Sequence, residues 1–411
     1  MKKILYIIIF TSVFLGKDTI AQDKYDMLNY GAANLFYKKY SEAIQNFTEV
    51  LENSPNNIFA LQNRAQCFLN SNQVEKAIED LLIVNKLVAN SVCYNLAICF
   101  SKIGNIKEAI EHLEQHLNSK YKKPKSFIRL DKNLNNVQNT KEWNILWEKD
   151  WYSKLELSID EASNLFENNK TNEALDILDK ILDNHKRNYK AYYLRAKVLS
   201  SLKQYKFAIE DMNKVIELKS KNANYYLDRA KLYSLQAKKK KAMEDINMAI
   251  SLSPESVLLV FERAKIELKF KQYSNAKKDF ENYLEYYHLD YEAIYNLGIS
   301  NFHIEKYNEA LDNFSEILSS DPSSTKSFIA RANTYMQVKQ FENAENDYSQ
   351  ALDLSPNEGK VYYNRGLARL NLKKDNDACS DWDKAIKLNY IDAIDLKRKY
   401  CQSVDLGDFE R

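Results

Sequence analysis

Glycine is nearly missing from this chain, with seven in 411 residues. Loops that cradle phosphate need glycine for close backbone approach, and none of the familiar nucleotide-binding fingerprints is present. A charge excess is missing too: 59 basic residues meet 57 acidic ones, for a formal net charge of +2. A nucleic-acid partner calls for a net basic face, so that class is excluded. The basic clusters Lys238 to Lys241 and Lys120 to Lys125 read as solvated ends of helical units. The only long apolar run is Ile4 to Gly16, behind Lys2 and Lys3 and ahead of small residues at Thr19 and Ala21. Such a run is short of the roughly 20 residues that span a bilayer, and its layout is that of a cleaved secretory signal over residues 1–21. Loss of Lys2, Lys3, Lys17 and Asp18 with that signal leaves a formally neutral chain, expected to be periplasmic or secreted, with no integral membrane segment.

Chemistry-bearing clusters are equally sparse. His112 and His116 share a helical face at a spacing that suits a metal, but no third ligand is near in sequence. They read as packing residues, and no metal or cofactor is expected. The carboxylates are spread along helices without forming an acid and base pair, so no catalytic residue is assigned. Of the five cysteines, Cys67 and Cys99 occupy equivalent places about one helix spacing apart, too far for a disulfide. They and Cys93 read as core fillers.

What the chain has is a period. Alanine recurs every 34 residues at 174, 208, 242, 276, 310, 344 and 378, and again at 43, 77 and 109. Twelve residues earlier stands a second small residue each time: Gly31, Ala65, Ala97, Ala162, Ala196, Ala230, Ala264, Gly298, Ala332 and Gly366. Four residues after the alanine comes a large apolar one, from Phe47 through Trp382. Two antiparallel helices approach closely only where small side chains face each other, so the pattern predicts ten helical hairpins. Four of the five prolines, Pro55, Pro254, Pro322 and Pro356, fall between hairpins, where a missing N–H does least harm. A fixed period of this length is the mark of a stacked array, which binds macromolecules more often than it catalyses.

With the recurring alanine at position 20 of its unit, position 7 is arginine in six units: Arg64, Arg195, Arg229, Arg263, Arg331 and Arg365. In those same six, position 23 is aspartate: Asp80, Asp211, Asp245, Asp279, Asp347 and Asp381. The other four units lack both residues. Pairing within a unit accounts for every case, which predicts an interhelical bridge; half-buried, each would contribute no more than about 1 kcal/mol.

The period breaks once, between Ala109 and Ala174. Residues 121–154 fill the gap with apolar residues that suggest two short helices, and Trp143, Trp147 and Trp151 would form one stripe on a helix. The stripe reads as a plug between repeat blocks or, alternatively, an exposed aromatic dock.

The pattern, with segments such as YYNRGLARL and FENAENDYSQALDLSP, resembles the tetratricopeptide repeat over most of the chain. The resemblance implies an all-α superhelical solenoid: repeats 1 to 3 in residues 22–120, a degenerate unit or linker in 121–154, repeats 4 to 10 in 155–392, and a capping helix with tail in 393–411. It implies that the degenerate unit continues the stack; otherwise 121–154 joins two separate solenoids. It also implies a concave groove lined by first helices. Repeats 5 to 7 would present Lys197, Lys231 and Lys265 there, and repeats 8 to 10 would present Tyr295, Asn296, Phe302, His303, Asn333, Tyr363 and Asn364, a set suited to an extended peptide. Some members hold a terminal carboxylate with a basic clamp; Asn296, Asn333 and Lys360 match fragments of it, but Ala330 stands where a second cation would be, so that activity is not implied. The stretch from Ala378 to Cys401 looks like the terminal unit of exported bacterial repeat proteins, in which Cys379 and Cys401 are either a disulfide or two buried thiols. The expectation is a non-catalytic scaffold for a protein or peptide. A polysaccharide ligand is the alternative, and an enzyme with a concave-face active site the remote one.

Overall fold

The computed structural model describes residues 25–401, so the signal-like segment 1–21 and the end of the tail lie outside the described residues. All regular structure among them is helical. None of these helices is long and apolar enough to cross a membrane. The described residues form two compact units, divided between Ser256 and Val257.

The first unit opens with a helix over residues 25–36 paired with Tyr40–Asn53, then Ile58–Asn70 with Val74–Leu87, and Cys93–Lys102 with Ile106–Leu117. After the interruption come Lys154–Glu167 with Thr171–Asn184, Tyr189–Ser201 with Tyr205–Leu218, and Ala223–Leu235 with Lys239–Leu252. The second unit holds Val257–Lys269 with Tyr273–Tyr286, Tyr291–His303 with Tyr307–Ser320, Thr325–Gln337 with Phe341–Leu354, and Gly359–Asn371 with Asp375–Lys387, closed by Ala393–Tyr400.

The recurring alanines have no exposed surface in any of the ten hairpins. The small residue opposite them makes room for the large one: a Cβ on Gly31, Gly298 or Gly366 would stand 2.6, 2.6 and 2.5 Å from Phe47, Phe314 and Trp382. Removing that side chain is what lets an aromatic sit fully buried at the crossing.

Each hairpin turn is made the same way. The residue five before the alanine is left-handed in all ten repeats, at Lys38, Asn72, Gly104, Asn169, Lys203, Ala237, Lys271, Glu305, Lys339 and Lys373. The next N–H closes the helix end by reaching back five residues, as in Gln204 N–H to Leu199 C=O at 2.9 Å. Only one of these positions is glycine, although an L-residue in this conformation costs roughly 1–2 kcal/mol. Substituting Lys203→Gly is therefore expected to stabilise the first unit by about 0.5–1 kcal/mol, after subtracting glycine's greater unfolded-state entropy. Asn72→Gly should change it by much less, because asparagine tolerates the conformation. Urea unfolding of the two variants gives the comparison.

The interruption is not two helices but four short segments: Lys125–Leu130, the 3-10 turn Lys132–Leu134, Asn135–Gln138 and Lys141–Trp147. The tryptophans do not share one helix, since the last segment ends at Trp147 and Trp151 lies in the turn beyond it, where its indole N–H donates to Leu146 C=O at 2.6 Å. Ile128, Leu134, Val137, Trp143 and Leu146 are buried against Leu113 and Leu117 of the third hairpin. On the other side, the Ser126 N–H and hydroxyl donate to Asp160 of the fourth hairpin at 3.0 and 2.5 Å. Residues 121–153 thus bridge the third and fourth hairpins within one compact unit.

Candidate functional site

The bridges come first, because they fix the first helices that line any groove. In all six repeats the arginine Nε and Nη2 each donate to one aspartate oxygen, at 2.6–3.0 Å. The pairs are far less exposed than half: Arg331 and Asp347 keep 20% and 8% of their side-chain surface. The remaining prong was not foreseen. Nη1 donates to the preceding hairpin's second helix, from Arg64 to Thr48, Arg195 to Asp179, Arg229 to Asn213, Arg331 to Ser315 and Arg365 to Ser349, at 2.7–3.0 Å. Each such arginine therefore ties one repeat to the one before it. Two repeats without the pair use an amide couple instead, Asn34 to Asn46 at 2.9 Å and Asn301 to Asn313 at 3.0 Å.

In the second unit, the groove residues expected from sequence divide. Asn333 Oδ1 accepts from the Tyr348 hydroxyl at 2.7 Å and from Asn364 Nδ2 at 3.3 Å, so two of them join one polar cluster. Burial raises the Tyr348 phenol, which therefore stays a donor. Tyr363 packs on Tyr390 at 5.1 Å, and the Lys326 ammonium lies 4.6 Å from the Tyr295 ring centre. Asn296 is half-buried, and its C=O accepts from the Ser300 hydroxyl at 2.8 Å. Phe302 turns into the core beside Phe314 and Ala330, and His303 stacks on Tyr273 at 4.2 Å next to a hairpin turn. These last two belong to packing rather than to the Asn333 cluster.

Another concavity lies in the first unit. A hollow of about 240 Å³ is lined by Lys122, Lys123, Tyr152, Glu156, Asp160, Lys190, Tyr193 and Lys197, among others. It shares Tyr193 and Lys197 with a wider one of about 500 Å³ that runs on to Asp228, Lys231, Leu232 and Leu235. Lys122 pairs with Glu156 at 3.0 Å, and the Tyr193 hydroxyl donates to Asp228 at 2.7 Å. Burial, then the hydrogen bond to Asp228, raises the Tyr193 phenol. Burial would raise the Glu156 carboxyl as well, but the Ser153 N–H and Lys122 hold it below the usual range.

Three cysteines, Cys67, Cys93 and Cys99, are buried free thiols, and burial pushes Cys67 and Cys99 up to about 11. Cys379 and Cys401 are joined as a disulfide, with Cα atoms 5.8 Å apart. Among the described residues no group of three or more His, Cys, Asp or Glu is placed to hold a metal ion. His112 stacks on Phe100 at 5.3 Å, and His116 Nε2 accepts the Lys123 N–H at 3.0 Å. Burial, with Lys123 and Lys122 nearby, pushes His116 down to about 4. Folding therefore favours the neutral ring, so its contribution is complete above about pH 6.5 and is lost as pH falls toward 4. Stability lost between pH 7.5 and 4.5 should be about 2 kcal/mol smaller for His116→Gln than for the parent chain, read by urea unfolding at both values.

Family models described as tetratricopeptide repeat match residues 189–222, 261–325 and 325–358, and one described as anaphase-promoting complex, cyclosome, subunit 3 matches 36–116. No curated protein matches the chain. Among solved structures, a tetratricopeptide repeat protein from Parabacteroides merdae is 20% identical, aligned over 57% of this chain and 93% of that one, with a TM-score of 0.48. YrrB, described as a protein of this class with an unusual peptide-binding site, is 23% identical over 48% and 97%, with a TM-score of 0.39. Yeast Tom70 is 15% identical over 96% and 98%, with a TM-score of 0.39. The 34-residue hairpins, their paired small residues and the matching repeat models together place this chain in the tetratricopeptide repeat family.

Proposed function

We propose that the chain is a non-catalytic, exported scaffold whose first helices hold a protein or peptide. Tetratricopeptide folds commonly mediate such binding. The observation that carries the reading is the open groove over the fourth to sixth hairpins, where Lys190 and Lys197 form no ion pair with a described residue. A concavity lined by apolar surface and a few convergent polar groups is the usual form of a binding site. Export is supported by the signal-like residues 1–21 and by the Cys379–Cys401 disulfide, which suits an oxidising compartment.

Photo-crosslinking in intact cells tests this. A probe at Ser200 or Tyr363, on first helices, should capture one discrete protein, whereas a probe at Lys180, on a second helix, should not. Equal capture from both faces, or a glycan adduct in place of a protein, would overturn it.

A further inference from the structure

The groove of the first unit is charged in an unbalanced way. Its carboxylates are each engaged: Glu156 with Lys122 and the Ser153 N–H, Asp160 with Ser126, and Asp228 with Tyr193. Lys190 and Lys197 form no ion pair with a described residue, and the lysines lining the two hollows, Lys122, Lys123, Lys190, Lys197 and Lys231, outnumber the carboxylates Glu156, Asp160 and Asp228 by two, which leaves that much counter-charge unsupplied. An incoming carboxylate would supply it through charge-assisted hydrogen bonds.

The aromatic faces argue against a sugar. Tyr193 carries the Lys197 ammonium 5.6 Å from its ring centre and packs on Tyr225 at 5.1 Å. Tyr152 is stacked by Trp147 at 6.5 Å and carries Lys122 at 4.8 Å. Neither ring is left as a free platform for a pyranose. What the adjoining hollow offers instead is aliphatic surface from Leu235, which is 49% exposed, over the buried Leu232. Ammonium groups beside an aliphatic shelf match an acidic side chain next to a branched aliphatic one.

We infer that this groove receives an extended segment of a partner protein in which Asp or Glu adjoins an aliphatic residue, Lys190 and Lys197 taking the carboxylate and Leu235 the aliphatic side chain. The inference rests on the scaffold reading above and names the partner chemistry for that groove. It also accounts for the interruption, because Lys122, Lys123 and Tyr152, which wall one side of the hollow, come from it.

The test is selection of a random eight-residue peptide display library on the purified full chain, then titration of one selected peptide carrying a fluorescent label. The expected result is enrichment of Asp or Glu beside Leu, Ile, Val or Met. Binding should weaken at least tenfold when the acidic residues become amides, and similarly in Lys190→Gln/Lys197→Gln. It should persist in Lys190→Arg/Lys197→Arg, and all the variants should melt like the parent. Equal binding of the amide peptide, no effect of the Gln pair, or stronger competition by an oligogalacturonate would overturn the inference. Selected peptides that crosslink at Asn333 and Asn364 instead would sink this assignment while leaving the scaffold reading standing. Absence of any peptide together with absence of any captured protein would sink both.

Discussion

Reducing the Cys379–Cys401 disulfide should loosen the last helix by about 3 kcal/mol while the remaining repeats hold. The bond closes a loop with a sequence separation of 22, and the chain-entropy relation gives about 3 kcal/mol for a loop of that size. The tethered helix, Ala393–Tyr400, has eight residues, too few to be stable alone. Its other anchors are modest: Ala393 is fully buried, Tyr400 lies 6.1 Å from Trp382, and Lys397 reaches Asp383 at 2.5 Å on the surface. In a stacked array each repeat is supported mainly by its neighbours, so the loss stays local. Hydrogen exchange over 393–401 should accelerate by roughly two orders of magnitude in reductant and in Cys379→Ser/Cys401→Ser, by the factor of ten per 1.4 kcal/mol. Exchange in the first unit should not change. Native alkylation gives an independent count: no thiol reacts before reduction and two react after, because Cys67, Cys93 and Cys99 are buried. Unchanged protection of 393–401 after reduction would show that packing alone holds the cap.

The hairpins were legible in the sequence because their constraint is geometric and repeats. A small residue must oppose each recurring alanine whatever the local composition, and Gly366 against Trp382 shows how little room there is. The Arg and Asp couple was legible for a similar reason, since a buried carboxylate cannot be kept without its partner. The third prong was not, because Thr48, Asn213, Ser315 and Ser349 look like any polar surface residue until two repeats are docked. The Asn34–Asn46 and Asn301–Asn313 couples could have been found by comparing positions 11 and 23 across repeats. Turn conformation was hidden for another reason: lysine at Lys38, Lys203, Lys271, Lys339 and Lys373 carries no sign of a left-handed backbone. The groove beside the interruption was the least accessible feature. Lys122, Lys123 and Tyr152 fall outside the 34-residue period, and their placement depends on how Pro124 leads into the segment Lys125–Leu130 and Ser126 meets Asp160.

Substituting Arg331→Leu is expected to destabilise the ninth repeat by about 3 kcal/mol, several times what the half-buried reading of the sequence allowed. Asp347 keeps 8% of its side-chain surface, so removing the guanidinium strands a carboxylate in a poorly solvated place. Breaking a buried pair on one side costs about 3–5 kcal/mol, against about 1 kcal/mol or less for an exposed one, and burial decides between them. The same change also cuts the 3.0 Å bond to Ser315 that ties the repeat to its predecessor. The double substitution Arg331→Leu/Asp347→Asn copies the eighth repeat, which has Leu297 and Asn313. It removes the stranded charge but does not restore everything. Asn313 accepts from Asn301, whereas position 11 of the ninth repeat is Tyr335, so the new amide is buried without its counterpart. An unpaired buried amide costs about 1–3 kcal/mol, which places the double variant between parent and single variant. The coupling is read from urea unfolding of parent, both singles and the double, and it should be at least about 1 kcal/mol, with the double less destabilised than Arg331→Leu alone. Simple addition of the two single losses would mean that guanidinium and carboxylate contribute independently, and the bridge would then be a contact without an energetic role.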